Sequence, residues 1–140
     1  MRLQRAYEHL LDTLTKTPGV HAAVPWDRTE HTRGVHVTLD HGHQLWIGIT
    51  VAAAPGDKGT GPDIPVTGEP PAPLPSPEPD TRPLTPATAQ TFLTAALANT
   101  GNAETDTVYG YTPAATRPGV GIRFHSGARA FCLIHRHRTP

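Results

Sequence analysis

The stretch GVHVTLDHGHQLWIGI, residues 34–49, sets His36, His41 and His43 within eight positions of one another. Imidazoles this close could hold a zinc ion or move protons near neutral pH. Whether they do depends on where the backbone sends them. If Asp40-His41-Gly42 is a three-residue hairpin loop with glycine in the left-handed conformation, Leu39 pairs with His43 and Val37 with Leu45. Val35, Val37, Leu45, Ile47 and Ile49 then share one face, because side chains alternate along a strand. In that register His36 points away from the core, His41 sits at the loop tip, and His43 leans toward the core-side edge. A zinc site needs three or four ligands converging at about 2.0–2.3 Å, and these three diverge. His135 and His137 can share a strand face, but His125 lies at the far end of that hairpin and no carboxylate is near in sequence. No metal ligand and no cofactor is assigned.

Other chemistry is poorly served. The only serines are Ser76, in a proline-rich stretch, and Ser126, in a turn. Neither has the strand–turn–helix setting of a nucleophile elbow. GDKGTG (56–61) lacks the Gly-Lys-Ser/Thr ending of a phosphate loop and runs into proline. Cys132, in AFCLI, reads as a buried apolar thiol rather than a reactive thiolate. No pair of acids is spaced as a general acid and base, so no catalytic residue is assigned and the balance leans against an enzyme.

A chain of 140 residues can bury one modest core. Its formal net charge of zero gives no bulk attraction to nucleic acid or an anionic membrane. The charge is uneven, however: Arg117, Arg123, Arg129, Arg136 and Arg138 face only Glu104 and Asp106 over residues 101–140. One cysteine permits no internal disulfide. The N-terminal stretch has no signal-peptide core, and LWIGITVAAAP is too short to span a bilayer. These features predict a soluble, cytoplasmic protein with no membrane partner.

The elements that must position any site recur. Leu3, Ala6, Tyr7, Leu10, Leu11 and Leu14 form a helical stripe over 2–16, stopped by Pro18-Gly19. Strand-like runs follow at 20–26, 34–40 and 43–51. Residues 55–83 hold ten of the sixteen prolines and read as an acidic Pro/Gly-rich linker, part extended and part disordered. Thr85-Pro86 then opens a second helix with Ala89, Phe92, Leu93, Ala96 and Leu97 on its stripe, ended at Gly101. Strand-like runs return at 105–111, 119–124 and 128–136. Shifted by 85 residues, GVHVTLDHGHQLWIGI lies without gaps on GVGIRFHSGARAFCLI, with Gly42 on Gly127 and Trp46 on Phe131. The fold class expected is α+β: tandem α-β-β-β units, a pseudo-duplication, with both helices on one face of antiparallel sheet. The units are 1–54 and 84–140, the second with a basic tail. Whether the sheet is continuous is left open.

The loop rule places His36, Thr38, Gln44 and Trp46 on the face away from the core, with Arg123, Arg129, Phe131, Leu133 and His135 from the second half. A solvated sheet face normally alternates to polar residues, so outward aromatics point to something that covers them. The function expected is a small non-catalytic protein-binding module, of adaptor, chaperone or immunity type, using Trp46, Phe131, Arg123, Arg129, His36, Gln44 and His135. Its partner is another protein or a second copy of itself. The alternative is single-stranded nucleic acid or RNA bound through the basic C-terminal half. A His-dependent enzyme or metal protein is the second alternative.

Overall fold

The helical stripes and alternating runs fold as an α+β protein, here seen in a computed structural model that describes residues 1–27, 32–75 and 84–140. In chain order the elements are α1 (Leu3–Lys16), β1 (Val20–Pro25), β2 (Arg33–Leu39), β3 (Gln44–Ala52), α2 (Pro86–Ala98), β4 (Thr105–Gly110), β5 (Gly119–Phe124) and β6 (Arg129–Arg138). The six strands form one antiparallel sheet in the order β1-β2-β3-β6-β5-β4. The third strands of the two halves, β3 and β6, therefore make the central seam. That seam settles the open question of continuity.

Each helix is placed by its apolar stripe. Ala6, Leu10 and Leu14 of α1 are buried, while Leu3, Tyr7 and Leu11 flank them half-buried. Leu93 and Leu97 of α2 enter the same cluster as Leu10 and Leu14. The helix α1 touches β1, β2 and β3, α2 touches β4, β5 and β6, and the helices touch each other. At the start of α2, Thr85 and Thr88 cap reciprocally: each backbone N–H donates to the other's hydroxyl, at 2.9 and 3.1 Å. The sheet contributes Val35, Val37, Leu45, Ile47, Ile49, Val120, Ile122, Phe124, Ala130, Cys132 and Ile134, all buried.

The hairpin loops set this face. Leu39 N–H donates to the His43 carbonyl at 2.7 Å, and Val37 sits opposite Leu45. Gly42 has φ 87° and His41 joins it in the left-handed region at φ 69°. Gly127 has φ 93°, and Phe124 N–H donates to the Ala128 carbonyl at 3.0 Å.

Residues 55–75 carry neither helix nor ladder, as proline density dictates. They are nonetheless pinned. Arg5 bonds the Asp63 carboxylate at 2.9 and 3.1 Å and the Glu104 carboxylate at 2.8 and 3.0 Å. Arg2 reaches Asp57, Gly68 N–H donates to the Ala103 carbonyl at 2.8 Å, and Leu74 exchanges two hydrogen bonds with the Asn99 side chain. The remainder of the expected linker, 76–83 with Ser76, lies outside the described residues.

Candidate binding face of the sheet

Gly48 of β3 and Gly119 and Gly121 of β5 take outward positions, and each lies beneath a ring. Gly48 carries His135: a Cβ there would meet the imidazole Nε2 at 2.6 Å and Cδ2 at 2.9 Å. Gly119 carries Tyr111, whose Cε2 would lie 2.7 Å from such a Cβ, and Gly121 carries Tyr109. Only a residue without a side chain lets a ring lie this close to a strand. Tyr109 and Tyr111 are 6.3 Å apart between ring centroids. Burial pushes the Tyr111 hydroxyl up to about 12, so it stays neutral across the physiological range.

Trp46 is held differently. Across one ladder it faces His36, and the two rings stack at 4.5 Å with planes 12° apart. Across the other it faces Arg136, whose guanidinium carbon lies 4.7 Å from its ring centroid. His36 is fixed in turn by Gln44, at 2.8 Å. Trp26 meets His135 edge-on at 5.8 Å. Trp46, Phe131, His36, Gln44 and His135 are half-buried, and Arg123 and Arg129 are exposed.

The charge on this face is one-signed. The six strands contain Arg33, Arg123, Arg129, Arg136 and Arg138, no lysine, and a single acid, Asp106, at the bulge of edge strand β4. Arg33, opposite Ile49, is on the helix side of the sheet, and the other four arginines are on this face. Arg123 and Arg129 stand directly opposite each other across the β5–β6 ladder. Like charges so placed repel. Among the described residues the acids that form ion pairs are Asp12, Asp57, Asp63 and Glu104, and they take Lys16, Arg2, Arg5 and the N-terminal amine. The three carboxylates around the start of α1 are thus matched where they stand by Arg2, Arg5 and the N-terminal amine.

The sequence-assigned residues are brought together in part. Trp46, His36, Gln44 and His135 gather around the β3–β6 seam, Phe131 lies across from Gly121 and Thr50, and Arg123 and Arg129 lie toward the β5–β6 turn. Sequence reasoning missed Trp26, Tyr109 and Tyr111, and it gave Arg136 to a basic nucleic-acid-binding tail rather than to a place beside Trp46. The available signal was the glycines at outward strand positions, which mark close approach of another group. The histidines do not gather: His41 is exposed in its turn, His43 is buried, and among the described residues no group of three or more His, Cys, Asp or Glu could hold a metal ion. His9 is a half-buried imidazole, 3.3 Å from the Asn102 amide, and desolvation holds its pKa below the usual value. A cleft of about 230 Å³ between the C-terminal ends of the helices is lined by Thr13, Lys16, Thr17, Pro18, Ala96, Asn99 and Thr100, which offer no acid–base pair. None of the described helices is long and apolar enough to cross a membrane.

No protein-family model, no curated protein and no solved structure matches the chain.

Proposed function

We propose that this protein is a non-catalytic protein-binding module, of adaptor, chaperone or immunity type, whose working surface is the outward sheet face. The composition of that face carries the reading: rings and arginines, without lysine and with one acid at its edge. Protein interfaces are enriched in aromatic residues and arginine and depleted in lysine and acids. Their binding energy concentrates on Trp, Tyr and Arg. Rings backed by glycine or flanked by neighbours also lose little freedom on binding, which favours affinity. A cytoplasmic setting belongs to the same proposal.

The test replaces Trp46 and Phe131 together by Ser. The far-ultraviolet spectrum should be retained, since neither side chain is in the core cluster. Proteins captured from host lysate by the wild type should be lost, or a dimer in light scattering should become a monomer. Unchanged capture and unchanged oligomeric state would refute the reading.

Single-stranded nucleic acid is the second reading, favoured by Tyr109 and Tyr111 beside Arg123, whose guanidinium carbon lies 5.4 Å from the Tyr109 centroid. Stacking of a base on such a ring contributes about 1–3 kcal/mol. Trp46 argues the other way, because His36 and Arg136 already flank it. We further propose that the two α-β-β-β halves are a duplicated unit with both helices on one face. The equivalent left-handed Gly42 and Gly127 support this, and an experimental structure whose halves fail to superpose would refute it.

A further inference from the structure

Resting on the binding reading above, we infer that the partner is acidic, and that it presents carboxylates on both sides of an apolar centre. The arginines lie at the two ends of the outward face. Arg123 and Arg129 stand opposite each other near the β5–β6 turn, while Arg136 and Arg138 pair with Trp46 and Gln44 near the end of β6. Between them lie Phe131, Leu133, His135 and the rings over the glycines. Arg129 and Arg136 stand opposite Ala52 and Trp46, six positions apart on β3 because a bulge interrupts β6 between them, or about 20 Å at about 3.3 Å per residue.

Two features make this an anion site in waiting rather than a merely solvated edge. Placing Arg123 against Arg129 opposes folding, and among the described residues neither has an acidic partner to relieve it. The chain does not lack carboxylates. It uses Asp57, Asp63 and Glu104 on Arg2 and Arg5. Arginine is also the cation suited to paired, planar contact with a carboxylate. The apolar centre excludes water from those contacts, which strengthens them. A partner with an acid at each end and apolar side chains between satisfies both ends and the centre at once.

The experiment selects binders from a library of random 16-residue peptides displayed on phage, against the intact protein and against Arg123→Glu/Arg129→Glu. Both proteins are first shown to melt cooperatively; if the double variant does not, Arg123→Gln/Arg129→Gln replaces it. Wild-type selections should be rich in Asp and Glu flanking apolar residues. Synthetic peptides from them should bind at least tenfold more weakly to the charge-reversed variant, whose own selections should turn to Lys and Arg (for the Gln variant, simply lose their acids). Peptides that need Trp46 and Phe131 but show no acidic bias would overturn this inference and leave the binding reading intact. Absence of any peptide that depends on Trp46 and Phe131 would overturn both. A fluorescent dT20 oligonucleotide bound more tightly than every selected peptide at 150 mM salt would assign the arginines to nucleic acid instead.

Discussion

Replacing Arg5 by Ala tests whether residues 55–75 belong to the fold. Arg5 joins three distant segments: its own helix, Asp63 of the proline-rich stretch, and Glu104 before β4. The carboxylates are mostly enclosed, at 15% and 16% side-chain exposure, with Arg5 at 31%. Removing the guanidinium deletes four charge-assisted hydrogen bonds and leaves two half-desolvated carboxylates close together. Asp63 keeps the Arg2 N–H, at 2.8 Å, and the N-terminal amine, at 3.2 Å. A charged hydrogen bond is worth about 1.5–3 kcal/mol net, and the exposure of Arg5 holds the total near the low end, about 2–3 kcal/mol. At this chain length that lowers the melting temperature by roughly 6–15 °C. The assay is urea unfolding of Arg5→Ala beside Lys16→Ala, which breaks an exposed Lys16–Asp12 pair at 3.1 Å and should cost less than about 0.5 kcal/mol. The sign with pH follows from Asp63, whose pKa is held well below the usual carboxylate range chiefly by Arg5. Its contribution is complete above the unfolded value of about 3.9 and fades as pH falls toward the folded value. The difference between wild type and variant should therefore be full at pH 7 and shrink below about pH 4. A loss under about 0.5 kcal/mol at pH 7 would mean that the segment is only a spacer.

Leu10→Ala should cost about 2–5 kcal/mol by urea unfolding, and Leu11→Ala less, because Leu10 is 1% exposed and Leu11 only flanks the cluster. Gly119→Ala should destabilise by about 1–3 kcal/mol, since its Cβ meets the Cys132 carbonyl at 2.8 Å and backbone has to shift. Gly121→Ala displaces the Tyr109 ring instead, so quenching of tyrosine fluorescence should change more than the melting temperature does. The Cys132 thiol, fully buried with its pKa pushed up to about 12, should react with a disulfide reagent at pH 8 only at the rate of unfolding, and faster labelling would refute its burial.

Much of the fold is local information. The α1 stripe, the Thr85-Pro86 start of α2 and both glycine loops were legible because each depends on residues within a turn or two of one another. The loops in turn dictate the strand register. From register alone follow the buried set from Val35 to Ile134 and the outward place of Trp46, Phe131, Arg123 and Arg129, because alternation leaves no choice once one pair is set. Three things came only with tertiary structure. The β3–β6 seam joins the halves through hydrogen bonds between strands about 85 residues apart, and backbone pairing of this kind leaves no residue signature. The pinning of residues 55–75 rests on Arg5 meeting Asp63 and Glu104, 58 and 99 positions away, where a charge in the sequence says nothing about its partner. The rings over Gly48, Gly119 and Gly121 come from neighbouring strands or flanking loops, so only the assembled sheet decides which aromatic fills the space that each glycine leaves.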